Sequence, residues 1–283
     1  MSKFEIRLIK KECGMTSFSS LGSIKKENRG EKVGHAGTLD KFASGLMLVM
    51  IGSATKLNPV FSSFGKRYKA TIKFGEETDT LDPEGTVIAT SRIPSYEEVL
   101  SSVNSFLGPQ MQQPPVYSAL HIDGKRAYIE ARKGHEIEMP LRAVEIYSIS
   151  LISYCDGIAV IDVSVSKGTY IRSLARDIAL KIKTRAHLIA LERTELGPFS
   201  YDDDLSKNTE ELLDKTGLLS LIILDEHFKK EVDNGYIRPE AVVSDSDAER
   251  IYCYLFFGKS FYGIGEKKDG KLRVISRAEN ERL

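Results

Sequence analysis

Residues 67–74 read Arg67-Tyr68-Lys69-Ala70-Thr71-Ile72-Lys73-Phe74. Polar and apolar side chains alternate without a break, which places Tyr68, Ala70, Ile72 and Phe74 on one face of a strand that backs onto a core. Outward from this strand, residues 3–9 alternate in the same way and Leu46–Ile51 is continuously apolar. Segments 143–152 and 157–166 read as paired strands joined around Asp156-Gly157. Two helices stand between and after these strands. Ser95 followed by Glu97 and Glu98 starts one, with Val99, Val103 and Phe106-Leu107 as its apolar face. Thr169–Ile182 carries Ile171, Leu174, Ile178 and Ile182 at helical spacing. Strands and amphipathic helices of this kind predict an α+β fold without giving its topology.

The chain has 283 residues, 41% of them hydrophobic, enough for one large domain or one and a half. Cys13, Cys155 and Cys253 lie too far apart for a disulfide framework or a CxxC metal site. The opening MSKFEIRLIKKE lacks a long apolar run, and no stretch reaches the roughly 18 apolar residues of a membrane span. A soluble, cytoplasmic protein with no membrane partner is expected. The 40 basic residues balance 40 acidic ones, which argues against a nucleic-acid partner. The average conceals a pattern: the net charge is +5 over residues 1–198, −8 over 199–251 and +3 thereafter.

That division suggests domains. After Gly197-Pro198 a helix starting near Asn208-Thr209 carries Leu212-Leu213 and Leu218-Leu219. Beyond Asp225 short aromatic and glycine-rich runs, including Tyr252–Phe257 and a hairpin signal at Asp269-Gly270, predict a compact β module. The boundary falls near residue 228, giving units 1–228 and 229–283. Between about 110 and 142, prolines, scattered glycines and the pairs Lys125-Arg126 and Arg132-Lys133 fit either a solvated hairpin or a basic flap that closes on a polyanion.

Chemistry-bearing motifs are few. The loop Gly34-His35-Ala36-Gly37-Thr38-Leu39-Asp40 is no P-loop, since no Gly-Lys-Ser/Thr follows. Its glycines permit a sharp turn beside a ligand, and Asp40 reads as a cap, a turn residue or a nucleophile. The five histidines show no short ligand spacing and Asp202-Asp203-Asp204 is no calcium loop, so no metal site is expected. No GxSxG elbow supports a serine hydrolase. Lys167-Gly168-Thr169-Tyr170-Ile171-Arg172 joins a strand to a helix whose first turn offers free N–H groups to an anion. Arg172 reads either as a surface residue or as a buried partner for a carboxylate, and its first-turn position, where a cation opposes the helix dipole, points to a specific negative charge.

Taken together, KVGHAGTLDKFASGLM, KRYKATIKFGEETDTLDPEG, QQPPVYSALHIDGKRAYIEARKG, SKGTYIRSLARDI and AHLIALERTELGPF, in this order across residues 10–200, closely resemble the TruB type of tRNA pseudouridine synthase. The resemblance implies the pseudouridine synthase fold, a mixed and largely antiparallel sheet with flanking helices and a central catalytic cleft. It implies conversion of uridine 55 in the T loop of tRNA to pseudouridine on a flipped-out nucleotide. Asp40 then matches the catalytic aspartate, Tyr68 the tyrosine that stacks on the uracil and is a candidate proton acceptor, and Arg172 the arginine that orients the aspartate. Tyr170 matches a second tyrosine contacting the nucleotide, His35 a histidine that enters the T loop, and Leu191 a leucine lining the uracil pocket. Residues 116–142 match the family's flexible flap.

The isomerisation involves no net redox change, so no metal, cofactor or external water is expected. The T stem-loop of tRNA is the implied partner and a monomer the implied state. The tail is weakly similar to a PUA-like RNA-binding domain through LFFGKSFYGIG. The chain departs from the family at Glu12-Cys13, where Lys-Pro is usual ahead of the turn. It departs again at Lys41-Phe42, where Pro-Leu follows the aspartate, and at Glu192, where a second arginine is common.

Overall fold

The computed structural model describes residues 3–118, 121–122, 125–126, 139–200, 205, 207–217 and 219–277. The first part of the chain forms β1 (Phe4–Lys11), α1 (Gly22–Glu27), β2 (Val33–Ala36), β3 (Ser44–Gly52), α2 (Asn58–Ser63), β4 (Lys66–Phe74), β5 (Glu76–Thr78), β6 (Val87–Thr90) and α3 (Tyr96–Asn104). It continues through β7 (Gly108–Gln112), β8 (His121–Ile122), β9 (Lys125–Arg126), β10 (Arg142–Cys155), β11 (Ile158–Val165), α4 (Ile171–Lys181), β12 (Ala186–Leu196) and β13 (Phe199–Ser200). The remainder forms α5 (Thr209–Thr216), β14 (Leu219–Leu224), α6 (Lys229–Asp233), β15 (Tyr236–Ile237), β16 (Val242–Asp245), β17 (Tyr252–Phe257), β18 (Ser260–Lys268) and β19 (Lys271–Arg277).

A nine-stranded sheet runs β1-β3-β12-β4-β11-β10-β7, with β2 added on β3 and β13 on β12. Its pairings are antiparallel except for a short parallel contact between Ser44-Gly45 of β3 and Glu192-Arg193 of β12. β4 lies inside this sheet, as its alternation predicts. Tyr68, Ala70, Ile72 and Phe74 join the core beneath α3 and α4, while Arg67 on the other face reaches Asp162 at 2.7 Å and Glu195 at 3.0 Å. β3 is continuously apolar for a different reason, because both of its faces are covered. Met47, Val49 and Ile51 face the α3/α4 side, and Leu46, Leu48 and Met50 face α2 and α5.

The hairpin expected at Asp156-Gly157 is present, with both residues at positive φ (49° and 79°) as a tight turn between twisted strands requires. The predicted start of α3 is a full capping box between Ser95 and Glu98. That helix stops at Asn104, however, so the expected apolar face loses Leu107, which is exposed. β2 corrects a second expectation: residues 33–36 of the supposed loop pair antiparallel with Val49 and its neighbours.

A six-stranded sheet, β15-β19-β18-β17-β14-β16, forms the C-terminal module. It takes in Leu219–Leu224, so the change of sheet comes before the compositional change at residue 228. The helix from Asn208 ends at Gly217, whose φ of +59° closes it in the left-handed region. Leu219 therefore starts a strand and does not extend the helix. Ile264 of this module packs into the same buried cluster as Ile6, Leu8, Leu212 and Leu213. Within segment 110–142 the structure describes residues 110–118, which include the end of β7, the short β8–β9 ladder and the stretch from Met139 onward. The rest of the expected flap, like Asp202–Asp204, lies outside the described residues.

Candidate active site

The loop between β2 and β3 is held from several sides. Ser17 clamps Leu39 through both its N–H (2.8 Å) and its carbonyl (2.9 Å), and the Gly14 N–H donates to the Lys41 carbonyl at 2.8 Å. The buried Lys11 ammonium donates to the carbonyls of Glu12, Lys41 and Ala43. The buried Arg193 guanidinium donates to the carbonyls of Leu46 at 2.7 Å and Gly37 at 3.1 Å. Beside it, Gly45 has φ +132°, and a Cβ there would stand 2.5 Å from the Arg193 backbone. Only glycine lets β3 approach β12 this closely. Fixed in this way, the loop projects the Asp40 carboxylate into a cleft of about 770 Å³.

Arg172 closes the floor. It is buried in the first turn of α4, and both of its terminal guanidinium nitrogens donate hydrogen bonds. Nη1 donates to the Thr80 carbonyl (2.9 Å) and to Asp82 Oδ2 (3.2 Å). Nη2 donates to Asp40 Oδ1 and to the Tyr117 carbonyl, both at 3.1 Å. Nε lies 2.9 Å from Asp40 Oδ2, within ion-pair range, although its N–H is not aligned on that oxygen. The negative partner that the helix dipole calls for is thus two carboxylates. Asp82 belongs to the turn between β5 and β6, is buried, and also accepts from the Thr80 hydroxyl (2.6 Å) and the Glu84 N–H (3.0 Å). Among the described residues Asp40 receives side-chain hydrogen bonds from Arg172 alone, and 38% of its side chain is exposed towards the cleft.

Burial raises the Asp40 carboxyl above the usual carboxylate range. The Arg172 guanidinium opposes that rise, and Asp82 and Glu84 add to it. A carboxylate held by one edge, half desolvated and open on its other side, suits nucleophilic or base chemistry.

Tyr68 and Leu191 stand on the adjacent strands β4 and β12, and both line the cleft with Asp40. The Tyr68 ring is mostly buried, and its hydroxyl has no hydrogen-bond partner among the described residues. Tyr170 precedes the first turn of α4 and also lines the cleft. Gln112 of β7 grips its backbone, accepting from the N–H at 2.8 Å and donating to the carbonyl at 3.2 Å, and the Arg142 guanidinium lies 5.9 Å from the ring centre. His35 is placed differently. It sits in β2 opposite Val49, outside the cleft lining, with a buried Nδ1 that has no partner among the described residues. Burial, Arg193 and Lys25 hold its ring below the ordinary histidine range and so favour the neutral imidazole.

The residues singled out in the sequence, Asp40, Tyr68, Tyr170, Arg172 and Leu191, line one cleft, whereas Asp82, Lys66 and Arg193 in its lining and Gln112 behind Tyr170 carried no such signal. The only signal for Asp82 was the unmet charge requirement of Arg172. Glu192 lies 4.0 Å from Lys10, so its charge has a local partner. No group of three or more His, Cys, Asp or Glu side chains poised to hold a metal occurs among the described residues. Nor does any helix among them have the length and apolarity to cross a membrane.

The architecture is that of the pseudouridine synthases, with a separate β module after the catalytic sheet. It is shared with a chain of an H/ACA ribonucleoprotein bound to a substrate RNA containing 2′-deoxyuridine (TM-score 0.67, 19% identity, covering 97% of this chain and 84% of that one). It is also shared with a chain of a Cbf5–Nop10–Gar1 complex (TM-score 0.66, 22% identity, covering 93% and 78%). At those identities the likeness defines the fold alone. Residues 25–171 match the N-terminal domain of the TruB family pseudouridylate synthases. The "tRNA pseudouridine synthase B" of Borreliella burgdorferi strain ZS7 is 43% identical over 234 residues, covering 81% of this chain and 82% of that protein. The protein of the same name from Treponema denticola is 38% identical over 283 residues (89% and 79%), and that from Clostridium kluyveri 34% identical over 279 (94% and 96%). The chain belongs to the TruB family of pseudouridylate synthases, which are isomerases.

Proposed function

We propose that this protein isomerises uridine to pseudouridine in tRNA, at position 55 of the T loop, with Asp40 as the nucleophile and the T stem-loop as partner. The observation that carries the reading is the asymmetry of the Asp40 carboxylate. Its back edge is bound to Arg172 and its other side is open to the cleft beside Tyr68 and Leu191. The names of the curated relatives supply the substrate class. A tRNA substrate places the work in the cytoplasm, with the monomer as the working unit. Residues up to the start of β14 serve as the catalytic domain, and the C-terminal sheet as an accessory module.

A nucleotide inside a folded loop reaches this cleft only after leaving its stack. Tyr68 offers an aromatic surface that offsets part of the lost stacking, and Leu191 provides an apolar wall. In the reaction the N1–C1′ bond breaks, the uracil turns, and a C5–C1′ bond forms. C5 releases a proton and N1 acquires one, so atoms and charge balance without an external reagent. The ionised Asp40 assists departure of the base from the sugar. The Tyr68 hydroxyl, unengaged among the described residues, is positioned as the acceptor of the C5 proton. Arg172 holds Asp40 in its ionised form and fixes its direction. His35, outside the cleft lining, would act on the surrounding loop and not on the reacting base.

The test is tritium release from an unmodified tRNA transcript labelled at C5 of uridine. Wild-type protein should release tritium stoichiometrically from one site. Asp40→Asn should release none while binding the same RNA with unchanged affinity. Turnover retained in Asp40→Asn would remove Asp40 from the nucleophile's role, and release from another uridine would overturn the site assignment.

A further inference from the structure

One end of the cleft is charged in a way that the chemistry at Asp40 does not use. Lys66 opens β4 two residues before Tyr68, on the same face, and both side chains line the cleft. The Lys66 ammonium donates to the carbonyls of Ser62 and Phe64 at the end of α2. Arg193, paired with Tyr68 across β12 and β4, donates among the described residues only to backbone carbonyls. Lys167, exposed between β11 and α4, adds a further repulsive positive charge near Lys66. Among the described residues no carboxylate pairs with Lys66 or Arg193, although Lys66 is 8% exposed and Arg193 fully buried. Buried cations are ordinarily paired. Ser62, Ser166 and Gly168 complete the wall with small polar groups.

We propose that this end of the cleft, lined by Lys66 and Ser166 with the buried Arg193 charge behind them, binds a phosphodiester of the RNA strand that flanks the nucleotide held against Tyr68. The proposal rests on the RNA-modifying reading of the site. The spacing suits it, since same-face neighbours on a strand stand about 7 Å apart, within reach from a base to a phosphate beside it. The electrostatics suit it as well. Burial, with Arg193 and Lys167 adding, lowers the Lys66 ammonium to about 8. The groups facing it are these two cations, the Ser62 and Phe64 carbonyls and Tyr68, and an anion entering among them offsets the repulsion. A phosphodiester binds the protonated form, so affinity is full below pH 8 and falls as pH rises beyond it.

The test uses the full chain carrying Asp40→Asn, to prevent turnover, and the T stem-loop of an unmodified tRNA in which single linkages are replaced by neutral methylphosphonates. One linkage adjoining the target uridine should weaken binding about tenfold with Lys66 present and have no effect once Lys66→Met is added. Lys66→Met should also lower the salt slope of binding by about 1. Affinity should decline between pH 8 and roughly 9.5 for Lys66 and stay level for Lys66→Arg, whose charge persists. A purely structural role as a cap on α2 predicts none of these couplings. Equal linkage effects with and without Lys66, or a level pH profile for the parent, would overturn the site. Tritium release by wild-type protein on the same RNA separates the two readings. Release without a Lys66-dependent linkage leaves the reaction standing and removes the phosphate site. A Lys66-dependent linkage without release does the reverse.

Discussion

Arg172 carries a positive charge where the α4 dipole disfavours one, and Asp40 and Asp82 hold it there. The division of labour between these carboxylates has measurable consequences. On the proposed reading Asp40 acts as the carboxylate, and its carboxyl is raised, so the acid limb of kcat/KM should lie above the range of an ordinary aspartate. Asp82→Asn removes one of the charges that raise it, so that limb should move to lower pH while kcat falls as Arg172 loses an anchor. A limb that does not move would disconnect Asp82 from Asp40. Stability has the opposite sign. A carboxyl raised by folding disfavours the folded state above the unfolded pKa of 3.8, increasingly so until the folded pKa is passed. Asp40→Asn should therefore melt no lower than wild type at pH 7, and any gain should vanish below about pH 3.8. The charge requirement of Arg172 was legible in the sequence from its helix position. Its second partner was not, since ninety residues separate Asp82 from Arg172 and the Asp82-Pro83-Glu84-Gly85 run reads locally as a turn.

Among elements, those with strong local signals were read correctly and those defined by a neighbour were not. β4, the hairpin at Asp156-Gly157 and the start of α3 carry their own alternation, turn and cap. Ser95→Ala should cost about 1 kcal/mol of stability in urea titration and leave turnover per folded molecule unchanged, because that cap lies away from the cleft. β2 escaped notice because Val33-Gly34-His35-Ala36 has no alternation of its own and becomes a strand only by pairing with β3. Leu219 fits the apolar spacing of the preceding helix, but Gly217 ends that helix before it. Where β3 meets β12, Gly45→Ala would set a Cβ against the Arg193 backbone at positive φ. The expected cost is at least about 2 kcal/mol, with kcat reduced because the same strand anchors the Asp40 loop. Chemical denaturation and tritium release read the two effects separately.

At the scale of the molecule, the two sheets share a core. Ile264 is fully buried among Ile6, Leu8, Leu212 and Leu213, and the Ser53 hydroxyl donates to the Arg277 carbonyl at 2.9 Å. The full chain should therefore unfold in one calorimetric transition, and Ile264→Ala should lower the stability of the whole by about 2–4 kcal/mol. Two separate transitions, with only one shifted by the variant, would show the units to be independent. Charge is also organised at this scale. The zero net charge comprises +5 up to residue 198 and an acidic stretch beyond it. With so small an excess, RNA affinity should depend on salt through few phosphate contacts, giving a shallow slope.

By itself the sequence determined the periodicities, turns and caps that make this chain α+β, the family to which it belongs, and five residues of the cleft. Those features are local, or are preserved in order along the chain. Only the tertiary structure decided that Arg172 answers to two carboxylates, that His35 stands outside the cleft, and that Lys66 and Arg193 meet in its wall without an acid among the described residues. The reason is physical. Burial and charge pairing depend on which distant segments pack together, and a carboxylate ninety residues from its guanidinium leaves no periodic trace.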